Sequence, residues 1–227
     1  MKNRSAFTMI ELVFVIVVLG ILSSLAMERM DRDLKQEAAE TILSHIRLTQ
    51  QLALRDNKHR SDNNAQWQKA YWKIQFRNCS TSGEVMPIYS VGSDRDLSGD
   101  ISKIESAIDP INGKYLYATC LSSSLTDDVS KDIRIGKKFG IKQMSITGCG
   151  IVQGTSSAKQ IAFDYLGRPH RGITSTNVSL FNKKVRTDCI LKFDLLTDQD
   201  NDGVDDSFTI KIEAETGHAY IVGEEAL

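Results

Sequence analysis

The pattern of apolar and polar positions changes twice along the chain. From Ile10 to Met27 the sequence reads IELVFVIVVLGILSSLAM, apolar on every side and interrupted by one charge, Glu11. At 1.5 Å per residue a helix of this length is roughly 27 Å long, nearly the hydrocarbon thickness of a bilayer, so the segment can span a membrane. Beyond Met27 the apolar positions thin to a stripe: Leu34, Ala38, Ile42, Ile46, Thr49 and Ala53 recur at intervals of three or four, with Arg, Lys, Gln and Glu between them. That spacing predicts an amphipathic continuation of the same helix. No Pro or obvious turn interrupts the stretch from Phe7 to about Asn57, so the whole forms a spine of roughly 50 residues and about 75 Å. Asp56-Asn57 and Ser61-Asp62-Asn63-Asn64 mark its exit. After Trp67 the period shortens to that of strands, at Tyr71 to Arg77, Tyr115 to Cys120, Lys142 to Thr147, Gln160 to Tyr165, Cys189 to Leu195, Ser207 to Ile212 and Ala219 to Val222. The prediction is an α+β protein: a long N-terminal helix, transmembrane then amphipathic, packed on an antiparallel β-sheet head.

Composition adds limits. The 227 residues suffice for one sizeable domain, and 28 basic against 29 acidic residues exclude a disordered polyelectrolyte and give no general reason to expect a nucleic-acid partner. The average hides an asymmetry, because almost no charge falls between Phe7 and Met27. Lys2 and Arg4 precede the apolar run, which by the positive-inside rule holds the amino end in the cytoplasm and sends the head outside.

The small residues Ser24-Leu25-Ala26 allow a rival reading, a conventional secretory signal cleaved before Met27. Glu11 argues against it, since a carboxylate at membrane depth is expensive and marks a function with a partner cation. Ala6-Phe7-Thr8-Met9-Ile10-Glu11-Leu12, after a short basic leader and before a long apolar run, resembles the class III prepilin signature of type IV pilins and type II secretion pseudopilins. The resemblance implies cleavage by a membrane prepilin peptidase between Ala6 and Phe7 and N-methylation of the Phe7 amine, although the family usually has Gly where this chain has Ala6. It implies a leader at 1–6, a transmembrane helix segment at 7–27, an amphipathic continuation at 28–60 and a periplasmic head at 61–227. It also implies a single-pass inner-membrane protein that enters a filament through other pilin subunits and an inner-membrane assembly platform. Glu11 would then meet the Phe7 amine of a neighbouring subunit, which is how a packed apolar bundle tolerates a carboxylate. Pilins often carry a Pro just past the apolar segment; here any local melting would centre on Gly20 or Ser23-Ser24. Within the head, Ile161 to Pro169 resembles the strand-turn-Gly-Arg segment of the minor pseudopilin H and FimT subfamily, and Ile42 to Arg55 resembles its helix.

Four cysteines, Cys79, Cys120, Cys149 and Cys189, lie in the exported head and read as two disulfides with three possible pairings. Sequential closure, Cys79 with Cys120 and Cys149 with Cys189, needs the shorter loops. Asp198-Gln199-Asp200-Asn201-Asp202-Gly203-Val204-Asp205-Asp206 alternates oxygen ligands around a Gly, as hard Ca2+ requires, and resembles the calcium loops of EF-hand and thrombospondin-repeat proteins. Its expected ligands are Asp198, Asp200, Asp202 and Asp206, holding a structural Ca2+; a solvated acidic turn is the plainer alternative. A second acidic stretch, Asp94 to Asp100, has poorer spacing and an internal Arg and reads as a loop.

No GxSxG, phosphate-binding loop, HExxH or dinucleotide fingerprint occurs, and His45, His59, His170 and His218 are scattered, so no enzyme and no nucleotide site is expected. Lys183-Lys184-Val185-Arg186 is a short basic cluster that would touch DNA if the protein served transformation, and otherwise is a solvated face. The chain reads as a structural subunit, a minor pilin or pseudopilin of a type II secretion pseudopilus or type IV pilus. The alternatives are a minor pilin for DNA uptake, or a conventionally secreted calcium-binding protein or enzyme.

Overall fold

The computed structural model describes residues 9–61, 65–81, 84–120, 126–151, 159–173, 181–196 and 206–223. One helix, α1 (Met9–Arg55), runs through 47 residues without interruption at Gly20 or Ser23, and at 1.5 Å per residue is about 70 Å long. Ser23 turns its hydroxyl back to the Leu19 carbonyl (2.7 Å), so this polar residue is satisfied inside the helix. The helix ends where the turn residues begin, with the Asp56 N–H on the Ala53 carbonyl. Among the described residues no helix is long and apolar enough to cross a membrane. Residues 1–8, and with them Ala6 and Phe7, lie outside the described part.

The second half of α1 carries the predicted stripe into the core: Ala38, Ile42, Ile46, Thr49 and Ala53 are all buried. Leu34 is not; at 37% exposure it lies before the point where the head begins to cover the helix. The head differs from the single sheet expected. It consists of two four-stranded antiparallel sheets, ordered β2-β1-β4-β5 and β3-β6-β7-β8. Their strands are β1 (Trp72–Thr81), β2 (Glu84–Ser93), β3 (Ile141–Gly148), β4 (Gln160–Phe163), β5 (Pro169–Arg171), β6 (Cys189–Leu195), β7 (Ser207–Ile212) and β8 (Ala219–Ile221). The spine packs against members of both sheets, touching β1, β2 and β4 of the first and β7 and β8 of the second. Polar bonds pin it at the turns: Arg47 donates to the Ala219 carbonyl (2.9 Å), and Gln50 donates to the carbonyls of Gly167 (2.9 Å) and Thr216 (2.8 Å). Gly217, at φ +68°, leaves room for this, since a Cβ there would stand 2.7 Å from the Gln50 amide and 2.1 Å from the Gly167 carbonyl.

β6 and β7 occupy the predicted residues from end to end, and each buries alternate side chains on one face, including Leu191, Phe193, Phe208 and Ile210. β2 was not predicted, because Pro87 and Gly92 break its pattern. Pro87 fits because β2 is an edge strand whose outward N–H groups bond to loops, Tyr89 to the Ile133 carbonyl and Val91 to that of Leu116. Pro87 shares their parity, so its missing N–H removes no bond to β1. Gly92 is needed for close approach: a Cβ would come 2.5 Å from Ile101 Cγ2 and 2.7 Å from the Glu105 carbonyl. Tyr115 to Cys120, predicted as a strand, forms none. Its hydrogen bonds go to three separate segments, Tyr115 to Asp128, Leu116 to Ala107 and Val91 to Leu116, so no two-residue ladder builds up. A short helix, α2 (Ile135–Phe139), caps the first sheet's edge with Ile135 and Phe139 buried.

The cysteines pair in sequence order, Cys79 with Cys120 and Cys149 with Cys189. The first fastens the irregular segment after Tyr115 to β1; the second joins the end of β3 to the start of β6.

Candidate functional site

The unusual surface is the first half of α1. Met9, Ile10, Phe14, Ile16, Leu19, Ile21 and Leu22 are all exposed, on every side of the helix, and no part of the described head covers them. A helix that is apolar all round is stable only in lipid or buried against other apolar surfaces. Glu11 sits in its first turn, exposed, and is the only charged residue from Met9 to Ser23. A carboxylate there is favoured by the helix dipole, whose positive end lies at the N-terminus. What the segment can do chemically is therefore limited and specific: bury a large apolar surface and present one negative charge near its amino end.

Residues 1–27 match the family model of the prokaryotic N-terminal methylation motif. The motif is the one carried by type IV pilin-like class III prepilins, and the match covers the amino-terminal segment and none of the head. Such a motif implies processing by a prepilin peptidase, assembly with other pilin subunits and a membrane-anchored subunit of a filament. No curated protein and no solved structure matches the chain, so the head is described from its own geometry.

In the head, Asp198, Asp200 and Asp202 lie outside the described residues. The loop that contains them joins the ends of β6 and β7, which pair up to Asp194 and Ser207. Asp206, expected as a calcium ligand, places its carboxylate 3.2 Å from Lys35 Nζ, so this end of the loop leans on the spine. The basic cluster does not present four side chains together. Val185 is in the core, Lys184 pairs with Glu215 (3.3 Å), and the backbone of Lys183 to Val185 extends the first sheet beyond β5.

Two scattered histidines are buried and paired. His45 of the spine has the Tyr89 hydroxyl 2.5 Å from Nδ1 and the Asp109 carboxylate 3.6 Å from Nε2. Burial holds its pKa below the ordinary 6.5, against the pull of Asp109 and Asp132. His170 lies 3.1 Å from Asp164, whose carboxylate also accepts the Arg168 guanidinium (2.9 Å) and the N–H groups of Leu166 and Arg168. Burial alone would raise the pKa of Asp164; these bonds outweigh it and hold the carboxyl below its usual range. Asp164 is thus the satisfied centre of the Asp164-Tyr165-Leu166-Gly167-Arg168 turn, and Gly167 of that turn receives Gln50 from the spine. Among the described residues one group of acids could hold a metal ion, Asp94, Asp96 and Glu105. It lies in the stretch that reads as a plain loop.

Proposed function

We propose that the protein is a minor pilin or pseudopilin, assembled into a type II secretion pseudopilus or a type IV pilus. The observation that carries this reading is one helix with two environments: Met9 to Leu22 apolar and uncovered, Ala38 to Ala53 built into the head. The inner membrane stores the subunit through the uncovered half, with its amino end cytoplasmic and the head periplasmic. The peptidase cuts after Ala6 and exposes the Phe7 amine. Extraction into a filament exchanges lipid contacts for helix packing, and Glu11 of one subunit meets the Phe7 amine of the next. In a low-dielectric bundle an unpartnered carboxylate costs several kcal/mol, so a subunit docked out of register is penalised. Structural Ca2+ in the Asp198 to Asp206 loop belongs to the same reading, as a clamp filled outside the cytoplasm.

Glu11→Ala tests the assembly step. The variant is expected to insert and fold like the wild type but to be depleted from sheared filaments, while the wild type is recovered. Normal recovery of Glu11→Ala in filaments would remove the proposed role. Amino-terminal sequencing of the mature chain distinguishes Phe7 from Met27, and Met27 would mean a conventionally secreted protein.

A further inference from the structure

The loop after β2 runs Asp94-Arg95-Asp96-Leu97-Ser98-Gly99-Asp100-Ile101-Ser102-Lys103-Ile104-Glu105. Counted from Asp94, it has carboxylates at positions 1 and 3, hydroxyls at 5 and 9, Gly at 6 and Glu at 12, the spacing with which a twelve-residue loop wraps Ca2+. Spacing alone is a weak signal, and the internal Arg makes the stretch look like an ordinary turn. The fold supplies what the spacing lacks.

Asp94 is fully buried. Its Oδ2 accepts the Lys73 ammonium (3.3 Å) and the Gly99 N–H (2.9 Å), while its Oδ1 has no hydrogen-bond partner. A buried carboxylate oxygen without a partner is costly and calls for a cation or a donor. Carboxylate oxygens of Asp94, Asp96 and Glu105 all lie within 4.8 Å of one another. Oxygens on opposite sides of a Ca2+ ion, each 2.3–2.6 Å from it, are about that far apart. The Arg95 side chain is turned away and donates to the Ile104 carbonyl (2.7 Å). Ser98 Oγ lies 3.3 Å from the Asp100 carbonyl, so positions 5 and 7 face each other, and Gly99 at φ +100° permits the sharp turn between them. Glu105 is held in place from both ends of the loop, by the N–H groups of Arg95 (2.7 Å), Asp96 (3.1 Å) and Ser102 (3.1 Å). Lys73 and Arg77 answer the charges of Asp94 and Asp100; Asp96 and Glu105 accept N–H and O–H groups, the Asp96 carboxyl also lies against that of Asp94, and the Lys73 charge reaches Glu105.

We propose that Asp94 to Glu105 forms a Ca2+ site, with ligands from Asp94, Asp96 and Ser98, the Asp100 carbonyl, Ser102 directly or through water, and both oxygens of Glu105. The Lys73 ammonium beside Asp94 weakens the site, which places it in the range of extracellular modules, on the order of 10⁻⁴ to 10⁻³ M. The bound ion ties both ends of the loop to the edge of β2, where the segment after Ser102 lies against Gly92 and Ala107 donates to the Val91 carbonyl (2.8 Å). This site shares no residue with the Asp198 to Asp206 loop and does not depend on filament assembly.

The test uses the full chain in detergent micelles, stripped with EGTA and titrated with Tb3+, excited through tryptophan, then displaced by Ca2+. Trp72 pairs with Ser93, the neighbour of Asp94, and serves as the antenna. Asp96→Asn and Glu105→Gln are expected to weaken the sensitised Tb3+ signal at least tenfold and to shrink the Ca2+-induced rise in Tm. The double variant Asp200→Asn, Asp202→Asn is expected to keep the signal. Asp96 is exposed, so its variant should melt like the wild type in EGTA; Ser98→Ala is a second reading without a change of charge. An unchanged signal in Asp96→Asn and Glu105→Gln would overturn the proposal, as would no saturable Ca2+ binding by the Asp200→Asn, Asp202→Asn chain up to about 10 mM.

Discussion

The two halves of α1 share one backbone and similar side chains, yet they are in different environments. Ile16 and Ile42 are both isoleucines on a continuous helix; the first is 59% exposed in the isolated chain and the second wholly buried. Ile42 is covered by the chain's own strands. Ile16 needs a cover from outside, either lipid or a neighbouring subunit. An apolar side chain on a helix thus specifies burial without specifying what buries it, and in this molecule the division between self and non-self falls between Leu22 and Ala38.

The largest expected effect separates the head from the uncovered half of α1. Replacing Cys149 and Cys189 by Ser opens a loop with a sequence separation of 40, which chain entropy values at about 4 kcal/mol. Urea unfolding of the full chain in detergent should show this loss, while the helicity of the first half of α1 remains. Next comes the isoleucine pair. Ile42→Ala should cost about 2–5 kcal/mol of head stability, whereas Ile16→Ala should change it by less than about 0.5 kcal/mol and act only on filament or membrane retention. Equal losses in the two variants, measured by the same unfolding curves, would break the distinction. Gly92→Ala probes the edge where β2 meets the loop after it; with Ile101 and the Glu105 carbonyl in the way, a loss of about 1–3 kcal/mol is expected. The smallest effect depends on pH. His45 has a depressed pKa in the folded chain because it is buried, so the unfolded chain takes up a proton first as pH falls. His45 therefore contributes stability that is present above the unfolded pKa of about 6.5 and is lost toward lower pH, by up to about 1.4 kcal/mol per unit. His45→Gln should flatten the stability profile between about pH 7 and pH 5 if the spine's buried half carries this dependence.

How much of this was legible in the sequence follows from the range of the interactions involved. α1 was legible over its described length, Met9 to Arg55, five residues short of the bound expected at residue 60, because a 3.6-residue period, an all-apolar run and the turn residues at Asp56-Asn57 are local signals. β6 and β7 were legible because one face of each is buried and the side chains alternate. The sequential disulfide pairing agreed with the simplest loop-length argument. β2 has no clear local signal because Pro87 is tolerable only on an edge strand, with its missing N–H on the side away from β1, and no local pattern reveals an edge. Tyr115 to Cys120 has strand composition but finds its hydrogen-bond partners in three different places. The Asp94 loop reads as an ordinary turn in the sequence, because Arg95 interrupts its acids and Glu105 stands five residues beyond Asp100. Only the fold shows that Asp94 is buried with a free oxygen and that Glu105 returns to it.

By itself the sequence determined the long helix, the apolar surface around its first half, the lone acid at Glu11 and the amino-terminal motif, because each depends on neighbours within a few residues. The tertiary structure decided where self-burial begins along that helix, how the strands divide into two sheets, which histidines are buried, and which acids converge. Those outcomes depend on contacts between residues far apart in the chain. Burial and the resulting loss of water set the energies of Ile42, His45, Asp164 and Asp94, and burial is a property of the folded chain rather than of any stretch of it.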